Sequence, residues 1–211
     1  MKTLKQFYTS QAGFTLVEIT VTLVILGIVL ATAGTALFFG NRMYSSTEVK
    51  NTEKYIGDSV YKYIEKKITY GTDVLILAWN STPTESATYP NYLVNYNGTQ
   101  RAGDTSATMQ SAFLYKGYTD EGKNPEDILG SKFYGTYTMK YTVTLPAISS
   151  DEEKAKADKR LVTLKVIVID KDGKEVYSTE GAVKNLNSDI AISGTRSDAV
   201  SFMNPVIGYH E

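Results

Sequence analysis

The hydrophobic positions of this chain change their rhythm twice. From Ile19 to Phe39 runs ITVTLVILGIVLATAGTALFF, without a single charged residue. As a helix it would rise roughly 32 Å, enough to cross the hydrocarbon core of a bilayer, and the pattern predicts a membrane span. Beyond Asn41 the chain becomes charged but keeps a stripe, Val49, Ile56, Val60, Ile64 and Ile68, at steps of seven and four. Lys50, Glu53, Lys54, Asp58, Lys62, Glu65 and Lys66 take the other faces, as expected for a helix that buries one side. No proline precedes Pro83, and Gly71 follows Tyr70 as a stop signal. Phe14 to about Tyr70 is therefore predicted as one helix of roughly 85 Å. One stripe of five positions is short for a coiled-coil stalk, so the second half is expected to lie on a sheet.

Past Gly71 the period shortens. From Thr72 to about Gln110 the composition shifts to Asn, Ser, Thr, Gly and Tyr, with brief strand-like pieces at Asp73–Trp79 and Tyr92–Tyr96. This reads as a long irregular connection, peripheral or functional rather than core. Phe133 to Leu145 alternates: Phe133, Tyr137, Met139, Tyr141, Val143 and Leu145 on one side, Thr136, Thr138, Lys140, Thr142 and Thr144 on the other. Ser149–Lys159 is a charged surface helix or loop, with Ser150 and Glu153 spaced as a capping box. Arg160–Ile169 and Lys174–Val183 form a strand pair around Asp170-Lys171-Asp172-Gly173. The fold class is α+β: a span (14–40) and an amphipathic stem (41–71) form one long N-terminal helix. The stem packs on a C-terminal antiparallel β-sheet (132–211) across a variable connection (72–131).

Composition narrows the chemistry. Among 211 residues, 22 basic and 23 acidic side chains nearly cancel, so no nucleic-acid partner is expected. There is no cysteine, and the one histidine, His210, has no orienting partner in sequence; no catalytic residue, cofactor site or metal site is assigned, and the chain is not expected to be an enzyme. Asp170-x-Asp172-Gly173 suggests calcium, but an EF-hand loop would need an oxygen ligand and a glutamate where Lys174 and Gly181 stand, so a hairpin turn is the expectation. A calcium site using Asp104 or Asp120 stays open. The tyrosines at 89, 92, 96, 115, 118, 134, 137 and 141 suit either ligand stacking or half-buried strands, and the strand reading is preferred because no basic stripe accompanies them.

The N-terminus carries the functional signal. Lys2 and Lys5 precede the span and no acid occurs before Glu18, which keeps the N-terminus cytoplasmic and sends the chain beyond Arg42 outward. A secretory signal peptide cut near Ala31-Thr32-Ala33 and a plain single-span anchor are both compatible with that charge. Neither explains Glu18, an ionisable group at the edge of an uncharged run. Gly13-Phe14-Thr15-Leu16-Val17-Glu18, after a short basic leader and leading into the apolar helix, closely resembles the class III signal of type IV prepilins and pseudopilins.

That resemblance implies the pilin fold, and it implies a leader (1–13) cut between Gly13 and Phe14 by a prepilin peptidase, with methylation of the new Phe14 amine. It further implies that Glu18 pairs with the Phe14 ammonium of a neighbouring subunit and so sets the assembly register. The expected partners are other pilin subunits, the prepilin peptidase, the pilus assembly machinery, and the membrane before assembly. The precursor would be a single-pass membrane protein with its N-terminus cytoplasmic, and the assembled form an extracellular filament at the cell surface, serving adhesion, motility, secretion or competence. The hairpin ending at Val183-Lys184-Asn185 weakly resembles PilV- and PilW-like subunits, which favours a minor pilin or pseudopilin. A major pilin, a membrane-tethered adhesin or sugar-binding module, and an anchored enzyme are the rival readings. In the family the helix often loosens around a proline, whose place is taken here by Thr35 beside Gly34.

Overall fold

A computed structural model describes residues 13–78, 89–96, 113–118, 126–192 and 198–210. The first helix, α1, runs Leu16–Tyr70, and the chain divides into two compact units, Met1–Val49 and Lys50–Glu211. The described part of the first unit is the larger part of α1, up to Val49, with its short lead-in, exposed throughout.

The second unit contains the rest of α1 and two sheets. One sheet has the order β4-β3-β2-β10-β1-β8, built from β1 (Thr72–Leu77), β2 (Asn91–Tyr96), β3 (Phe113–Tyr118), β4 (Glu126–Asp127), β8 (Ala191–Ile192) and β10 (Val206–His210). The other has the order β7-β6-β5-β9, from β5 (Thr138–Leu145), β6 (Leu161–Ile169), β7 (Glu175–Lys184) and β9 (Val200–Met203). All pairings are antiparallel except β1 with β8. The α+β class holds, with two sheets where one was expected.

The core joins α1 to both sheets. Ile56, Val60, Ile64 and Ile68 are buried in one cluster with Met139, Tyr141, Val143 and Leu145 of β5, the inward residues of β6, and Val74, Leu93, Leu114, Ile207 and Tyr209 of the six-stranded sheet. At about 1.5–3 kcal/mol each, the four helical residues contribute on the order of 6–12 kcal/mol as an upper bound. That is comparable to the whole stability of a domain, so the stem is part of the core and not an appendage. Val49, expected to open the stripe, is 45% exposed. It lies in the first unit, where α1 is the only element among the described residues, so its helical phase has nothing to face.

Three other expectations need correction. The described part of 72–131 is not peripheral: it supplies β1 to β4, with Val74, Ile76, Leu93 and Leu114 fully buried. Phe133 and Tyr134 belong to a helical turn, α2 (Ser131–Tyr134), which ends at Gly135 with φ 58°, so the strand begins only at Thr138. That backbone conformation suits glycine and would strain any β-branched residue. The short helix α3 (Glu152–Asp158) is capped by Asp151 and not Ser150; the Asp151 carboxylate accepts from the Glu153 and Lys154 amides. The alternation from Met139 to Leu145 and the β6–β7 hairpin stand as read.

Between β9 and β10 the chain passes from one sheet to the other at Asn204 and Pro205. Asn204 has φ 45°, its amide donates to the Tyr141 carbonyl at 2.7 Å, and its side-chain oxygen accepts from the Tyr141 amide at 2.9 Å. The Tyr141 hydroxyl donates to the Pro205 carbonyl. Asparagine tolerates the left-handed conformation, and its amide side chain continues the ladder that the crossing interrupts.

The helix is keyed to β7 by glycine. A methyl group at Gly57 would lie 2.5 Å from Cδ1 and 2.7 Å from Cε1 of Tyr177, whose hydroxyl donates to Asp58 at 2.8 Å. On an open helix Gly→Ala would gain up to about 1 kcal/mol. Here the ring is held at its far end, and overpacking at about 1–3 kcal/mol outweighs the gain. Gly57→Ala is expected to lower the midpoint of thermal unfolding by roughly 2–6 °C; a raised midpoint would mean that the ring swings clear.

Candidate functional site

Gly13, Phe14 and Thr15 precede the first turn of α1, and Glu18 is its third residue. Phe14 is 83% exposed, its side chain free of the fold. The Thr15 amide and hydroxyl both donate to one Glu18 carboxylate oxygen at 2.9 Å, and the Glu18 amide donates to the Thr15 hydroxyl at 3.2 Å. The Ile19 amide closes the turn on the Thr15 carbonyl at 3.2 Å. This is a capping box: Thr15 and Glu18 satisfy each other's otherwise orphaned backbone donors where the helix begins. Thr15 was not among the site residues expected from the sequence, although T-x-x-E ahead of an apolar run is the signal for it.

Gly13 has a different status. A Cβ built on it meets nothing within 4 Å, and its φ does not lie in the left-handed region. Among the described residues neither space nor backbone requires glycine there. Residues 1–12, including Lys2 and Lys5, lie outside the described residues.

The apolar helix beyond Glu18 is long enough to cross a membrane, and its side chains are exposed. Its hydroxyls are turned to its own backbone: Thr20 donates to Val17, Thr22 to Glu18, Thr32 to Val29 and Thr35 to Thr32, at 2.6–2.9 Å. Back-bonding of this kind removes the cost of placing a hydroxyl in lipid. The helix continues through Gly34 and Thr35. Among the described residues nothing lies within 4 Å of a Cβ built at Gly27 or Gly34; small residues of this kind allow close helix approach in membranes.

The other candidates resolve into structure. Asp170 Oδ1 accepts from the Asp172 and Lys174 amides at 2.9 Å, and Gly173 has φ 80°, so Asp170–Gly173 is a hairpin turn. Asp104 and Asp120 lie outside the described residues. Tyr134 and Tyr141 are fully buried, with their phenols pushed up by desolvation. Tyr89, Tyr92 and Tyr115 are half-buried against Leu75, Leu77, Val94 and Val206, as the strand reading expects. Tyr137 is partly buried against the core, and Tyr96 and Tyr118 sit in β2 and β3. The His210 ring lies 3.4 Å from the Thr72 hydroxyl on the neighbouring strand.

One buried residue, named in the sequence reading only as the end of a hairpin, has a structural role that reading did not assign. Asn185, fully buried after β7, donates through Nδ2 to the Ile68 carbonyl at 2.7 Å and the Gly71 carbonyl at 2.9 Å. Its Oδ1 accepts from the Asn187 and Ser188 amides, each at 2.7 Å. One amide side chain thus closes the C-terminus of α1 and shapes the turn after β7.

Comparison with known proteins bears on the N-terminus. Residues 8–34 match the family model of the prokaryotic N-terminal methylation motif. No curated protein and no solved structure matches the chain. With Gly13, Phe14 and the Thr15–Glu18 box inside the matched residues and the apolar helix continuing from them, the chain carries a type IV pilin-like prepilin signal on a helix suited to anchoring a precursor in a membrane.

Proposed function

We propose that this chain is a structural subunit of a type IV pilus-like extracellular filament, a minor pilin or pseudopilin, with no catalytic role of its own. A prepilin peptidase removes residues 1–13 and methylates Phe14. The mature helix then leaves the membrane to pack among the helices of other subunits, and the unit from Lys50 onward forms the filament surface. The observation that carries this reading is the methylation motif over residues 8–34 running directly into a helix that is apolar and uncovered. A minor subunit is favoured over the main shaft subunit by the large double-sheet unit and by the β6–β7 hairpin, which ends at Lys184 just before Asn185.

Intact-mass analysis of protein sheared from the cell surface tests the processing step. The expected species begins at Phe14 and carries one added methyl group; a species that begins at Met1, or one cut after Ala33, would reject it.

A further inference from the structure

The join between the two sheets is polar and enclosed. Asn95 of β2, Leu114 of β3, Met139 and Tyr141 of β5, and Asn204 and Pro205 of the crossing are all buried. With no solvent at hand, each donor and acceptor there needs a partner inside. The Asn95 side chain reaches from one sheet to the other, its Nδ2 donating to the Met139 carbonyl at 3.0 Å. Its Oδ1 is equally enclosed and has no hydrogen-bond partner among the described residues. Turning the amide over gives no relief, because the Met139 carbonyl only accepts and would then face a second acceptor.

The donors around Asn95 are committed elsewhere. Leu114 stands directly opposite on β3, and its amide donates to the Tyr134 hydroxyl at 3.3 Å. The Tyr141 amide goes to Asn204 Oδ1 and the Tyr141 hydroxyl to the Pro205 carbonyl, while the Asn204 amide goes to the Tyr141 carbonyl. On its other side β2 pairs with β10 as far as Leu93 and Ile207. Carried on by two residues, that register sets Pro205 opposite Asn95, and proline has no N–H.

We propose that Asn95 Oδ1 holds one buried water molecule, a structural site that links β2 to β5 within the join. A water supplies the missing donor without bringing a charge. Its second proton has acceptors in the same join, since the Met139 and Pro205 carbonyls each keep a further lone pair. A cation would need a buried counter-charge, and no carboxylate among the described residues is buried. The site stands whether or not the chain enters a filament.

Crystals of the full chain grown from a lipidic mesophase test it. One water is expected at about 2.6–3.0 Å from Asn95 Oδ1, with a second contact to a carbonyl of the join. Well-ordered density without that water, or a protein donor turned onto Oδ1, would overturn the proposal. So would a ligand at about 2.3–2.5 Å, which belongs to a metal cation. Asn95→Leu is expected to lose the water while Asn204 keeps both bonds to Tyr141; a water retained in that variant would show that Asn95 does not hold it. The wild-type density remains the deciding readout if the leucine variant does not fold.

Discussion

Glu18→Gln is expected to leave the chain in the membrane, still cut after Gly13, while its share in sheared filaments falls at least about 100-fold at matched expression. The substitution is clean because of the capping box. Glutamine at the third helical position reaches back to the N-cap backbone as glutamate does, so the Thr15-capped start of α1 is preserved and only the charge is lost. In a simple anchor, removing an ion from the edge of the hydrocarbon is neutral or favourable. In a filament it strands the ammonium of a neighbour's Phe14 in a low-dielectric core, where breaking a pair costs about 3–5 kcal/mol. The quantity to measure is the ratio of sheared to membrane-bound protein. An unchanged ratio would reject charge pairing and favour a tethered adhesin or sugar-binding module. Glu18→Ala would confound the two effects, since it removes the cap together with the charge.

Asn185→Ala is expected to destabilise the folded unit by about 3–5 kcal/mol, a third or more of what such a unit has in total. Four backbone groups lose their partner at once: the Ile68 and Gly71 carbonyls and the Asn187 and Ser188 amides. A buried polar group left unsatisfied costs about 1–3 kcal/mol, and the lower end applies where the turn can relax toward water. Chemical denaturation should show a lower midpoint with an unchanged slope. Asn187→Ala is the control, because that exposed side chain contributes one bond, to the Tyr70 carbonyl, and its loss should cost no more than about 1 kcal/mol. If the two variants behave alike, the closure of α1 does not rest on Asn185.

The parts of the fold legible in the sequence are those in which one period runs long enough to dominate. The span, the stripe from Ile56 to Ile68, the alternation from Met139 to Leu145 and the D-x-D-G hairpin all meet that condition. The six-stranded sheet does not, although the strand-like pieces read at Asp73–Trp79 and Tyr92–Tyr96 fall on β1 and β2. Its strands are short, rich in Asn, Gly and Tyr, and joined far apart in sequence: Thr72 pairs with His210, and Tyr92 lies between Gly117 and Gly208. At these glycines the sheet is filled by rings, Tyr92 over Gly117 and Tyr89 over Gly208, so positions that read as weak in isolation become covered in the pair. At the N-terminus, the resemblance carried by Gly13, Phe14 and Glu18 agrees with the methylation-motif match over residues 8–34. Thr15 was hidden because the carboxylate that caps it also suits an intersubunit ion pair, and spacing alone does not rank the two.

The crossing at Asn204 and Pro205 sets a timetable. It delivers Val206–His210 into the middle of the six-stranded sheet, between β2 and β1, so neither neighbour can complete its ladder until the chain has been released as far as His210. A chain that keeps its N-terminus cytoplasmic and passes its later part outward would place α1 in the bilayer long before the unit after it can close. In that interval the edges of β1 and β2 that β10 will pair are open to mispairing.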